Sequence, residues 1–154
     1  MLKIITSFCA LPFDEVLDIY WVYAGRSWDH TSVQEFYGYL RDEFFPDGGV
    51  YALWEDGGTY VSAVRLLPWA NGMLIAGLET KKQARNLGYA TKLLRAVAEY
   101  ARANEVCCLF SHVHKNNGTS AAVHAAMGFT LLRDNAKLLD GSVVSDHHTL
   151  ILNL

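Results

Sequence analysis

Between Met73 and Val113 the chain runs through three kinds of segment, and their order restricts the fold more than anything else in it. "MLIAGLET" (Met73 to Thr80) is an apolar run of strand length. "RNLGYA" then turns around Gly88. From about Tyr89 to Asn104, Leu93, Leu94, Val97, Ala98 and Ala101 recur on one helical face, and Arg95 and Glu99 are spaced to pair on the other. "VCCLFSHV" (Val106 to Val113) is again strand-like. Strand, helix, strand is a crossover, and a crossover makes its two strands parallel.

The flanks read differently. "VYALWE" (Val50 to Glu55) and "TYVSAVRLL" (Thr59 to Leu67) are joined by a "DGG" turn, which signals an antiparallel hairpin. Upstream lie a short strand, "KIITSF", and two helices. Phe13, Val16, Leu17, Tyr20, Trp21 and Ala24 mark the first, with Gly25 as its stop. Ser32 and Glu35 form a capping box for the second, whose stripe is Val33, Phe36, Tyr37, Leu40 and Phe44, ended by Pro46. Downstream come a short helix within "NNGTSAAVHAAMGF" and the strands "FTLLRD" and "HHTLILNL". The expected order is β-α-α-β-β-β-α-β-α-β-β. That is an α/β arrangement, a mixed sheet with helices on its faces.

At 154 residues the chain is expected to be one domain, 1–154. No apolar run approaches the roughly 18 residues that span a bilayer. The N-terminus turns acidic too soon for a signal peptide. Three cysteines, two of them adjacent, make a poor disulfide framework, so a reducing cytoplasmic location is expected. No cysteine or histidine spacing suggests a metal. A formal charge of −3 argues against nucleic acid as a partner.

The crossover helix has a chemical consequence. The first N–H groups of a helix lack internal partners, and its dipole favours negative charge there. Gly88 sits where the loop becomes the helix, and with no side chain it lets a phosphate approach the backbone. Ala90 keeps the next position open. Gln83, Arg85 and Asn86 supply donors around the turn. A plain turn glycine before a surface helix would look the same. No Walker sequence is present, and one glycine is not a dinucleotide fingerprint. A second constellation, Asn117, Ser120 and His124, has the spacing to form a polar stripe on the short helix.

Taken together, these segments resemble the GCN5-related N-acetyltransferase (GNAT) superfamily. Arg85-Asn-Leu-Gly88-Tyr-Ala90 is similar to its pyrophosphate motif. Asn117, Ser120, His124, Gly128 and Phe129 keep the spacing of its second motif. "VSAVRL", "GLET", "HVHKNN" and "DGSV" look like a bacterial branch of that superfamily. The resemblance implies a mostly antiparallel sheet of about seven strands and acetyl-CoA as cosubstrate. It implies pyrophosphate binding by the backbone from Arg85 through Asn86, Leu87, Gly88, Tyr89 and Ala90 to Thr91. It implies that Leu78-Glu79-Thr80 splays from the strand 106–113, with the pantetheine arm in the gap and Asn117 against that arm. It also implies direct attack by an amine.

Direct transfer needs a neutral amine, a stabilised oxyanion and a proton or hydrogen bond for the departing sulfur. Backbone N–H groups near Thr80 are the expected oxyanion donors. The family's usual acid is a tyrosine where this chain has His124. His124 either replaces it as general acid or merely lines the pocket. His112 and His114 alternate on one face of their strand as candidate general bases, or stand there as a half-exposed strand end. Cys107 and Cys108 are expected in core or flank rather than as nucleophiles. Glu79 and Glu55 are candidate bases or amine anchors. Arg65, in an otherwise apolar strand, wants a carboxylate partner, either structural or on an acidic substrate.

Trp21, Tyr23, Trp28, Tyr37 and Trp54 are candidates for an aromatic acceptor pocket, with core packing as the plain alternative. The primary reading is transfer to a small-molecule amine. A non-catalytic acyl-CoA sensor and a protein or peptide N-acetyltransferase are the alternatives. The C-terminal strand "TLILNL" is expected to lie exposed, able to support a homodimer across a sheet edge.

Overall fold

The computed structural model describes residues 1–20 and 29–154. Trp21, Tyr23, Ala24, Gly25 and Trp28, expected in the first helix and the aromatic pocket, lie outside the described residues. The chain begins with β1 (Leu2–Ile5), shorter than expected because a 3-10 turn takes over at Phe8–Ala10. Helix α1 (Phe13–Tyr20) and α2 (His30–Tyr39) follow. The cap of α2 corrects the expected capping box: Asp29 stands at the N-cap and its carboxylate accepts from Ser32 N at 2.7 Å. Asp29 does the work expected of Ser32, so the helix starts three residues early. A π-helical turn, Leu40–Phe44, carries the chain off α2.

Strands β2 (Val50–Asp56), β3 (Thr59–Trp69) and β4 (Gly72–Thr80) then meander. Helix α3 (Tyr89–Ala103) crosses to β5 (Cys108–His114), and α4 (Gly118–Ala126) leads to β6 (Thr130–Arg133). A two-residue hairpin, β7 (Ala136–Lys137) and β8 (Val143–Val144), precedes β9 (His147–Asn153). The main sheet has seven strands in the order β1-β2-β3-β4-β5-β9-β6. Its β4–β5 pair is parallel, as the crossover requires, and its other pairs are antiparallel.

The C-terminal strand is not an edge. β9 pairs with β5 on one side and β6 on the other, so both its ladders are used inside the sheet. Docking of a second copy along "TLILNL" is therefore excluded. The same strand order makes the parallel pair central to the sheet.

Period two in the strands assigns alternate residues to two cores. Tyr51, Leu53, Ala63, Leu67, Leu74 and Phe110 pack under α1 and α2 against Val16, Ile19, Leu40 and Phe44. Ala52, Val64, Leu66, Ile75 and Leu109 face α3 through Leu93, Leu94, Val97 and Ala101. Burying side chains of this size stabilises by roughly 1.5–3 kcal/mol each before chain entropy is counted. Cys108 joins the first core and Cys107 is exposed, as core and flank. Among the described residues, no helix is long and apolar enough to cross a membrane.

Candidate active site

The parallel pair is short. Its register runs Met73–Leu109, Leu74–Phe110, Ile75–Ser111 and then stops. Beyond it β4 keeps its other partner, β3, through a bulge: Arg65 pairs with Ala76 but Ala63 with Glu79. Gly77 takes φ +60° in that bulge, a left-handed conformation that glycine adopts without strain. Its carbonyl accepts from the Tyr20 hydroxyl at 2.6 Å, and Tyr51 donates to Tyr20 at 3.2 Å. So β4 bends away from β5 at Ala76 and His112, and a buried tyrosine pair holds the bend.

The far end of β4 leads into the turn. Thr80 is buried, with its hydroxyl 3.0 Å from Ser62 Oγ. Arg85 spans the turn: Nε donates to Thr80 O at 3.1 Å, and Nη2 to Glu79 Oε1 at 3.0 Å. The arginine side chain thus braces the loop rather than standing free. Glu79 is engaged by it and also accepts from Thr80 N at 3.2 Å. Gln83 lies exposed on a 3-10 turn, Lys82–Ala84. Asn86 and Gly88 have φ of +63° and +78°, and Gly88 is the N-cap of α3.

No acceptor among the described residues takes the N–H groups of Asn86, Leu87, Gly88, Tyr89, Ala90 or Thr91. A Cβ built on Gly88 would meet no atom within 4 Å. Free donors, a helix N-terminus and open space converge there. The chemistry of that set fits an anionic pyrophosphate. Beside it, Tyr89 Oη donates to Asp56 at 2.6 Å, and Leu87 is exposed.

On α4, Asn117 caps the helix by accepting from Ser120 N at 3.0 Å. His124 keeps its place in line with Ser120, whose Oγ lies 3.4 Å from its Nδ1, but it is 2 % exposed, with its ring edge-on to Phe129 at 5.0 Å. Its Nδ1 lies 2.7 Å from the Ser120 carbonyl. A carbonyl only accepts, so that nitrogen carries the proton and Nε2 is a bare acceptor. Nε2 is buried and meets no partner among the described residues. Burial lowers the pKa of His124, opposed by the Ser120 bond. A neutral histidine with a bare Nε2 has no proton to release there, which sets this geometry against the expected acid role.

That burial yields a stability prediction. The folded pKa lies below the ordinary 6.5, so the unfolded chain binds the proton first as pH falls. Stability is full above pH 6.5 and declines from there down to the depressed folded value. The slope of melting temperature against pH over that window should shrink in His124→Phe. An unchanged slope would mean that His124 titrates alike in both states.

His112 and His114 share one face of β5 but not one environment. His114 lies 3.6 Å from Asp146, accepts from Asn116 N at 3.1 Å, and touches His147 ring to ring. His112 instead lines a cavity of about 390 Å³ with Tyr39, Arg65, Leu74, Ala76 and Asp140. Its ring stands edge-on to Trp69, and burial, then the charge of His147, pushes its pKa down. Ala76 and His112 are also the first residues past the last β4–β5 pair, so the cavity meets the splay.

Other expected site residues lie elsewhere. Glu55 is 3.5 Å from Lys3. Trp54 packs in the α3-side core, on the opposite face of the sheet. Tyr37 packs on Phe8 and Phe13 at the outer side of α2. The cavity wall supplies Tyr39, Leu138, Leu139 and Asp140, which the sequence reading did not single out. The quoted "DGSV" was the signal nearest to Asp140.

Splayed parallel strands, a free helix N-terminus beside them and a cavity at their parting are an arrangement that an acyltransferase can use. Residues 13–129 match the model of the Acetyltransferase (GNAT) family, and the chain belongs to that family. No curated protein matches the sequence. Solved structures share the fold at low identity. A ribosomal-protein-alanine N-acetyltransferase from Brucella melitensis aligns with TM-score 0.74 and 19% identity over 100% of this chain and 99% of its own. An IAA acetyltransferase from Bacillus cereus gives 0.70 and 16% over 100% and 99%. The Campylobacter jejuni N-acetyltransferase PseH, in complex with acetyl coenzyme A, gives 0.69 and 17% over 99% of each chain.

Proposed function

We propose that the chain, acting over 1–154 as one domain, moves the acetyl group of acetyl-CoA directly to the primary amine of a small molecule. The observation that supports this most is the coincidence at Ala76 and His112. There the splay reached from the anion cradle opens into a cavity on the other face of the sheet. Acetyl-CoA supplies an acetyl group activated as a thioester. The N–H groups of Asn86 to Thr91 bind its pyrophosphate, and Arg85 keeps their loop in shape. Leu78 to Thr80 and Asn117, with Ser120 behind it, flank the pantetheine arm. Thr80 N is taken by Glu79 Oε1 and Lys81 N by Val61 O, so the oxyanion donor is an N–H earlier in the splayed part of β4, from Ala76 to Glu79.

His112, neutral because of its burial, accepts the amine's proton and passes it to water. The amine nitrogen bonds to the acetyl carbon, the carbon–sulfur bond breaks, and the sulfur takes its proton from water. Glu79 stays with Arg85, and His114 with Asp146. The cavity of about 390 Å³, with the exposed Leu138 and Leu139 at its side, has room for a small acceptor. A reducing cytoplasm keeps Cys9, Cys107 and Cys108 as the free thiols they are here.

The test is a calorimetric titration with acetyl-CoA, followed by a screen of amines for release of free thiol. Micromolar binding with thiol release by at least one small amine is expected. Binding without release by any amine would make the protein a sensor. No binding would withdraw the acetyltransferase reading.

A further inference from the structure

Arg65 lies within the cavity as a cation that no protein anion answers. Its Nε is buried without a hydrogen-bond partner. The guanidinium lies between two aromatic rings, 5.6 Å from the centroid of Phe36 and 5.7 Å from that of Tyr39. It backs onto the bulge: a Cβ on Gly77 would stand 2.9 Å from its Nη2. The glycine that bends β4 therefore also makes room for the arginine. No described carboxylate forms an ion pair with it, and residues 21–28 include no aspartate or glutamate. Asp140 shares the cavity, but it is exposed at the rim and its Oδ1 accepts from Ser142 N at 2.9 Å and Ser142 Oγ at 2.6 Å.

A guanidinium held among aromatic walls loses water, so it gains most from an anion that reaches it. Among the described residues no anion meets that need, and the cavity lets an entering molecule do so. A single cation, with Asp140 opposing it at the rim, matches a monoanion better than a phosphate dianion. Position fixes the spacing. Arg65 pairs with Ala76 across β3–β4, and Ala76 borders the gap where the thioester would lie. Adjacent strands are about 5 Å apart. We infer that the acceptor is a small amino acid whose carboxylate binds Arg65 while its amine, a few bonds away, faces the gap beside His112. Asp140 at the rim attracts the ammonium group as the molecule enters, before the amine reaches the gap.

This inference rests on the acetyl-transfer reading. Attack forms the nitrogen–carbon amide bond and breaks the carbon–sulfur bond. It yields an N-acetylamino acid and free coenzyme thiol, with the ammonium's proton released to water through His112.

The experiment compares free amino acids with their carboxamides as acceptors, for wild type, Arg65→Met and Arg65→Lys. Acetyl-CoA affinity is measured by calorimetry on each protein. Wild type should favour the free acids at least tenfold in kcat/KM. Arg65→Met should abolish that preference and Arg65→Lys should keep part of it, with acetyl-CoA affinity equal in all three. Equal turnover of acids and carboxamides by wild type, or a preference that survives in Arg65→Met, would overturn the inference. Preferred turnover of phosphoethanolamine over β-alanine would overturn the choice of carboxylate. Loss of acetyl-CoA binding by wild type would instead remove the reading beneath it, which the calorimetry reports separately.

Discussion

Gly88→Glu should lose acetyl-CoA affinity by at least about 100-fold, roughly 3 kcal/mol, while the protein stays folded. Two effects separate there. Any side chain at φ +78° pays a backbone strain of roughly 1–2 kcal/mol, a cost to stability rather than to binding. The protein leaves open space at that Cβ, so no clash adds to it. The carboxylate, however, enters the field of the free N–H groups from Asn86 to Thr91 and competes with the pyrophosphate for them. Gly88→Ala should carry the same strain without the charge and lose much less affinity. Calorimetry gives the affinities and thermal melts give the strain. If both variants lose stability alike and bind acetyl-CoA as wild type does, Gly88 is only a turn residue and the cradle is not a phosphate site.

The cradle was legible because its signals are local. Periods of two and 3.6 residues separate β4, α3 and β5, and a lone glycine marks the joint between them. The same holds for the β2–β3 hairpin with its "DGG" turn. Three features were not local, and each was misread or missed. Helical spacing put His124 in line with Asn117 and Ser120, but spacing does not say which side of a helix meets the sheet. Phe129 and the Ser120 carbonyl claim its ring from within the fold. Strand order is likewise set by packing. β9 enters between β5 and β6, and nothing in "TLILNL" distinguishes an inner strand from an edge. The cavity wall comes from a hairpin with strands of two residues, too short for any alternation to show.

Arg65 is the intermediate case. A charged residue in an apolar strand declared that something was needed there. Only the fold shows that the need opens toward a cavity at the splay. The charge in an apolar strand thus marked the position before any geometry set a cavity beside it. The histidines behave in the same way: the strand reading named His112 and His114 together, and their surroundings divided them.

His112→Phe should lower kcat/KM by about 100-fold, within the usual range for a positioned general base. Phenylalanine keeps an aromatic ring against Trp69 and preserves the cavity wall, so the change removes chemistry and little packing. The pH profile is the sharper readout. Burial and the charge of His147 hold the folded pKa of His112 below 6.5. The base is therefore in its working, neutral form at and above that pH, and activity falls as pH drops through the depressed value. The acceptor's own ammonium adds a separate break near its own, higher pKa. Wild type should thus show a lower break that belongs to His112, and the variant should lack it while acetyl-CoA affinity is unchanged. His114→Phe should retain that break, since His114 is already engaged by Asp146 and Asn116. A lower break that persists in His112→Phe and vanishes in His114→Phe would transfer the role one step along the strand. That outcome would place the reacting amine outside the cavity that Arg65 shares, so the two histidine variants also test where the acceptor sits.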